Sequence, residues 1–313
     1  MRLAEADPGA ASASTTEPIA TRAVTRRGRR CTRLSVSVAV RCRGVIVRRR
    51  KGASLRARRL TECAGRHYRE AVEDLLGWLA TCAQEIGATL EPRARRGFSG
   101  ARASQYHLDV EADEVARRVL RRPGWRIVSE ESGTSGQGDK VIVVDPIDGS
   151  TNADRGIPFY STSLAVLDHG VLVAGCVRNH ATSTTYLAER GAGAVRDGET
   201  LRSSGQREIA GSLIAFSGWP HQRVGWGQFR ALGAASLEIC LVAEGSMDAF
   251  SVAGGSRLYP WDYLAGLIIA READAWATDV AGDELVTDAP VARRPVVAAT
   301  EDLLARLVAL GPL

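Results

Sequence analysis

Three short acidic segments hold the side chains best suited to chemistry: Glu130 and Glu131 in SEES, Asp145 and Asp148 in VIVVDPIDGST, and Asp262 in PWDYLAG. In the second, four β-favouring apolar residues run into Asp145, which puts its carboxylate where a buried strand ends, the edge at which α/β proteins place ligands. Pro146 stiffens the exit and Gly149 permits close backbone approach, so both carboxylates and the Ile147 carbonyl can face one point. An oxygen-rich corner of this kind suits a hard divalent cation, Mg2+ above all. Taken alone, D-x-x-D-G serves equally well as an Asx turn. Glu130 and Glu131 follow the apolar run RIV and repel one another unless a cation stands between them and the aspartates; by themselves they read equally as a solvated turn. Asp262 precedes an apolar helix that it can cap, a role compatible with metal ligation. Gly149, Ser150 and Thr151 offer N–H donors for phosphate oxygens.

The elements that must bring these segments together are legible as periodicities. From Arg66, Val72, Leu75, Leu76, Leu79 and Ile86 recur at helical spacing, with Gly87 at the expected C-terminus. A Gly/Arg/Ser-rich loop follows, then DVEADEVARRVLRR, an amphipathic helix stopped by Pro123. RIVSEESG, KVIVVDPIDG, STSLAVLDHG, VLVAGCVRN and TTYLAER are short β runs punctuated by turn residues. LEICLVAEG and DYLAGLIIAREAD return to helix, and ARRPVVAATEDLLARL closes as strand then helix. That order implies an α/β or α+β fold with sheets layered against helices.

With 313 residues and 45% hydrophobic content the chain can build a sizeable core. Its charge is segregated: residues 1–66 hold 17 of the 41 Lys+Arg but 4 of the 36 Asp+Glu, so the remainder is acidic and an anionic substrate there would need added cations. Residues 1–65 are expected to form a disordered Arg-rich extension ahead of a catalytic domain at 66–313. That arm is open to nucleic-acid contact, to a start site assigned too far upstream, or to a twin-arginine signal, although LSVSVAV is short and basic on its far flank. Six scattered cysteines without a CxxC pair suit reduced thiols and a cytoplasmic location, and no run is long enough for a membrane span. GAGA at 191–194 is too short for a dinucleotide fingerprint, and His169, His180 and His221 are expected on the surface or in loops.

Taken in order, SEES, DPIDGSTN and WDYLAG resemble the inositol monophosphatase family of Mg2+-dependent, lithium-sensitive phosphatases. RGIPFYSTSLAV, ERGAGAVRDGETL and FRALGAASLEICLVAEGSMDAF agree with it, and the similarity runs from about residue 66 to the C-terminus. The resemblance implies a layered αβαβα sandwich of the sugar phosphatase type, a homodimer, and hydrolysis of a small phosphorylated metabolite by metal-activated water. Carried over by position, Glu130, Asp145, the Ile147 carbonyl, Asp148 and Asp262 would ligate two or three Mg2+. Gly149, Ser150, Thr151, Ala235 and Asp262 would bind substrate, Ser150 would position the attacking water where the family usually has threonine, and Glu131 would be a neighbouring acidic residue in the catalytic set.

Two departures stand out. The family's hinge loop carries an Asp six residues before its A-D aspartate, here Asp113; His107 occupies that place, with Asp109 two residues on, and either is a candidate replacement. Inositol-specific members also place a Glu before the WD motif, whereas AFSVAGGSRLYPW has no acid, which argues against myo-inositol phosphate. Inositol-, sugar- or histidinol-phosphate hydrolysis is the leading expectation. Fructose bisphosphatase, bisphosphate nucleotidase and a catalytically silent metal binder are the alternatives.

Overall fold

The structure, a computed structural model, describes residues 75–90, 97–102, 104–311 and 313, together with the backbone of 39–42 and 45–48. The chain divides into two units, Met1–Ala64 and Gly65–Leu313. In the first, β1 (Ala39–Cys42) pairs antiparallel with β2 (Val45–Arg48). This hairpin falls within the stretch expected to be disordered, and the rest of that stretch lies outside the described residues.

The second unit runs α1 (75–89), α2 (His107–Leu120), β3 (Trp125–Ser129), β4 (Gly133–Gly136), β5 (Lys140–Asp148), α3 (Ser150–Arg155), β6 (Ser161–Asp168) and β7 (Val171–Asn179). It continues through β8 (Thr185–Glu189), β9 (Gly193–Arg196), β10 (Glu199–Thr200), β11 (Leu213–Ser217), β12 (Gln228–Arg230) and α4 (Ala235–Ala243). β13 (Ala249–Val252), α5 (Pro260–Glu272), β14 (Trp276–Asp279), β15 (Pro295–Ala298) and α6 (Glu301–Ala309) complete it. An eight-stranded sheet has the order β10-β9-β8-β7-β6-β5-β3-β4, and a five-stranded sheet β12-β11-β13-β15-β14.

Alternation along β5 sets the layers. Ile142 and Val144 face α1 and α2, where they pack with Leu79, Ile86, Ala112 and Leu120. Val141 and Val143 point the other way, into a cluster with Leu237, Ile239, Leu264 and Ile268 of α4 and α5. The same helices cover Ala215, Phe250 and Val297 of the second sheet, whose outer residues Ile214, Ala249 and Val296 meet Leu303 and Leu307 of α6. Helix, sheet, helix, sheet and helix therefore alternate, as the resemblance implied. α4 and α5 are buried almost all round because both of their faces meet a sheet, which is why neither shows an amphipathic pattern.

One boundary differs from expectation. α1 continues through Gly87 to residue 89, so this glycine does not end the helix. It leaves room for His180: a Cβ there would lie 2.7 Å from the imidazole Nδ1. His180 itself is no free surface residue. Its ring stacks on Tyr160, and burial, then the Arg178 charge, push its pKa down to about 4. Among the described residues Cys82, Cys176 and Cys240 are free, buried thiols.

Candidate active site

Asp145 ends the straight part of β5, and its partner on β6 is Ser163; the next pair is Asp148 with Ser161. Three steps on one strand against two on the other make a β-bulge, which turns the strand just where the two aspartates leave it. The bulge is braced from β6: the Thr162 hydroxyl donates to the Pro146 carbonyl at 2.8 Å and lies 2.8 Å from His180 Nε2. Since the threonine has one proton to give, the neutral imidazole donates through Nε2–H. Gly149 then takes a left-handed φ of 85°, with a would-be Cβ 3.0 Å from both Ala234 Cβ and the Gly233 carbonyl, so only glycine fits between β5 and α3.

Glu130, Asp145 and Asp262 each turn a carboxylate oxygen toward a common point, all within 4.8 Å of one another. Burial, then the charges of Glu130, Asp148 and Asp262, hold the Asp145 carboxyl well above its ordinary range. Burial and then Glu131 and Asp148 push Glu130 to about 7, and burial followed by Glu130 raises Asp262 strongly. Asp145 Oδ1 is buried with no hydrogen-bond partner among the described residues. A buried, orphaned acceptor on a member of this ring of mutually repelling carboxylates fits a hard cation, and an all-carboxylate donor set favours one over the softer metals.

Asp148 stands beside this group but is anchored elsewhere. It accepts from the Ser236 N–H at 2.7 Å, the Ser236 hydroxyl at 2.5 Å and the Ala235 N–H at 3.2 Å, all at the start of α4. Burial wins over these bonds and raises it to about 6. Ala235, expected to touch substrate, thus presents its amide to Asp148. Asp262 lies inside the first turn of α5, not ahead of it, where it accepts from the Tyr259 N–H at 2.6 Å. Its capping and its place in the acidic ring coexist, as the sequence allowed.

The remaining expected residues separate. Ser150 is half-buried and Thr151 exposed at the start of α3, while Ile147 packs its side chain into the α1–α2 core. Glu131 is not a member of the acidic ring: Arg102 forms an ion pair with it and Gln105 donates to it. His107, expected in the hinge loop, is instead the first residue of α2, and its side chain makes no hydrogen bond or ion pair among the described residues. Asp109 is the one drawn into the electrostatics of the site: buried, accepting from the Tyr106 N–H at 2.8 Å, and pushed up to about 8 by burial and by Glu131 and Glu130.

Sequence reading missed several supports. Asp113 Oδ1 accepts from the Ser129 hydroxyl at 2.5 Å and the Ser132 hydroxyl at 3.1 Å, clamping both ends of the SEES turn that presents Glu130. Glu238, fully buried in α4 and raised to about 8 by burial, accepts from the Leu232 N–H at 2.7 Å, and Asn152 donates to the Leu232 carbonyl at 2.7 Å. These contacts fix the loop that delivers α4 to Asp148. The serines flanking EE were the available signal for the first; nothing in the sequence pointed to the second.

The model of the inositol monophosphatase family matches residues 83–310. The chain belongs to that family. A fructose-1,6-bisphosphatase/inositol-1-monophosphatase of Archaeoglobus fulgidus is 35% identical over 208 residues, 64% of this chain and 81% of that protein. The Nus factor SuhB of Vibrio cholerae is 32% identical over 194 residues, covering 56% and 72%. Among solved structures, the extragenic suppressor protein SuhB of Bartonella henselae superposes with a TM-score of 0.65 at 27% identity, covering 75% of this chain and 97% of that one. Family and relatives make the chain a phosphatase, and among the described residues the acidic ring is a group able to hold a metal. Among the described residues no helix is long and apolar enough to cross a membrane.

Proposed function

We propose that this family member is a Mg2+-dependent phosphomonoesterase acting on a small alcohol phosphate of the inositol-, sugar- or histidinol-phosphate type. The observation that carries the reading is the meeting of buried Asp145, whose Oδ1 has no hydrogen-bond partner among the described residues, with Glu130 and Asp262. These three, with Asp148 and the Ile147 carbonyl, hold the ions. Bound Mg2+ supplies an acidified water and neutralises phosphate charge. Ser150 orients the attacking water at the start of α3, and the Gly149–Thr151 backbone directs N–H groups at phosphate oxygens. Asp148 keeps its orientation through Ser236 and Ala235, and Asp262 approaches the leaving-group side from the first turn of α5. Glu131, paired with Arg102, acts on the site through charge rather than contact.

Substrate choice follows from what stands before α5. Val252 is fully buried and the segment up to Asp262 carries no carboxylate, so no acid is present there to accept a sugar hydroxyl. The relative named as a fructose-1,6-bisphosphatase/inositol-1-monophosphatase favours a second reading in which a sugar bisphosphate is accepted. By family resemblance the enzyme is a cytoplasmic homodimer. Phosphate release from inositol phosphate, fructose bisphosphate, histidinol phosphate and adenosine bisphosphate, with Mg2+ and with EDTA, tests the reading. Hydrolysis of at least one ester only with Mg2+ supports it; metal binding without turnover of any ester identifies a silent family member instead.

A further inference from the structure

On the outer edge of the five-stranded sheet four aromatic rings form a cluster of graded exposure, beside the segment that precedes α5. Phe216 and Trp226 are buried, their centroids 5.2 Å apart, while Phe229 on the edge strand β12 is 37% exposed and Trp219 is 70% exposed. Trp219 meets Phe229 at 6.0 Å in a T-shaped contact, and most of the indole stays exposed. Between them lies a cleft of about 480 Å³, the size of a small-ligand pocket.

The ring positions are set by the backbone. A Cβ on Gly218 would sit 2.4 Å from the Ala253 carbonyl, and one on Gly227 would sit 2.9 Å from the Gly211 carbonyl, so the chain on either side of the loop is pressed against its neighbours. Trp226 bridges to Ala210, and the Gly227 N–H donates to the Ser212 carbonyl at 2.9 Å. An indole left 70% exposed on a loop fixed at both ends would lose little conformational freedom on binding a partner.

The lining states the partner's chemistry. It contains aromatic rings, Pro220, Arg223, Arg230, His221 and the amides of Gln222 and Gln228, with no carboxylate. Arg230 donates to the Phe229 carbonyl at 2.8 Å and the Gln228 side chain at 3.0 Å, and neither arginine has a carboxylate partner among the described residues. In a domain otherwise rich in acid, this is a local cationic patch. π faces flanked by guanidinium groups and amides, with no carboxylate among them, match stacked bases on a phosphate chain.

We infer that this face binds single-stranded nucleic acid, with a base stacked on Trp219 and phosphates met by Arg223 and Arg230. The inference is independent of whether the acidic ring hydrolyses a phosphate ester. Full-length protein is titrated with a fluorescein-labelled ten-nucleotide single strand, reading anisotropy and tryptophan quenching, beside the same sequence as a duplex. Wild type is expected to prefer the single strand and to be quenched. W219A is expected to bind about tenfold more weakly, and the double variant R223A/R230A to lower the slope of log affinity against log salt by about 1.4. Melting temperatures of the variants serve as fold control, since all three side chains are exposed. Unchanged affinity in W219A assigns any binding to the basic N-terminal segment and overturns the proposal, as does equal binding of the duplex. A W219A variant that instead dissociates an oligomer seen by sedimentation also overturns it, by showing that the face joins two copies of the chain.

Discussion

The phenol oxygen of Tyr106 lies 3.1 Å from the Thr151 hydroxyl, joining the residue that opens α2 to the first turn of α3. Phe98 stacks on the Tyr106 ring at 4.6 Å, and the Gly97 N–H donates to Asp154 at 2.7 Å, so the hinge loop is tied to α3 at two points. Y106F keeps the ring stack and loses only the hydroxyl. It should cost ~1 kcal/mol in a thermal melt and, because the loop also carries Arg102 beside Glu131, slow ester hydrolysis about three- to tenfold. Unchanged turnover would show that this tie has no bearing on the site.

Asp113 holds both serine hydroxyls of the SEES turn without touching the acidic ring. D113A leaves the buried Ser129 hydroxyl without this acceptor and frees the turn. Stability should fall by ~2 kcal/mol, and the Mg2+ concentration for half-maximal activity should rise about tenfold, since supports of this kind tune metal affinity through the ligand they orient. D113N, which retains an acceptor oxygen, should recover part of both losses.

The layered fold could be anticipated because β5, α4 and α5 are made of long apolar runs, and three acidic motifs in a fixed order left little choice of family. Gly87 misled because a glycine after an apolar stripe looks like a helix end, and only the distant imidazole of His180 explains it. The strands β11 and β13 are only four or five residues long, too short for a periodic pattern to announce them, although the segment ending in DAF runs into β13. Glu131 looked equal to Glu130 in sequence; the difference arises from Arg102 and Gln105, 26 and more residues away along the chain. Long-range partners of this sort leave no local trace.

Without metal, Asp109 and Glu238 keep their protons to about pH 8, Glu130 to about 7 and Asp148 to about 6, whereas the unfolded chain releases them near pH 4. The folded state then binds more protons than the unfolded state across that window. The stability these groups contribute is fully present below about pH 4 and is lost as pH rises through 6 to 8. In EDTA the melting temperature should fall from about pH 5 to about pH 8, and saturating Mg2+ should raise it more at the higher pH, where protons no longer compete. An increment independent of pH would contradict the assignment of these groups.

Gly175 of β7 lies under α5: a Cβ there would meet Ile268 at 2.5 Å and the Ala265 carbonyl at 2.9 Å. G175A must push the helix off the sheet, a cost of ~2 kcal/mol by the usual penalty of overpacking. As Asp262 rides on the first turn of that helix, Mg2+ affinity should weaken as well. Calorimetric unfolding of metal-free and metal-loaded protein separates the two effects.

Titration calorimetry of Mg2+ into metal-free protein near pH 7, for wild type and D145N, addresses the shared acidic site most directly. Wild type should bind with release of protons, which is read from the dependence of the heat on buffer ionisation, and D145N should lose the binding while remaining folded. Equal Mg2+ affinity in the two proteins, or wild-type binding without proton release, would contradict a metal site built on Glu130, Asp145 and Asp262.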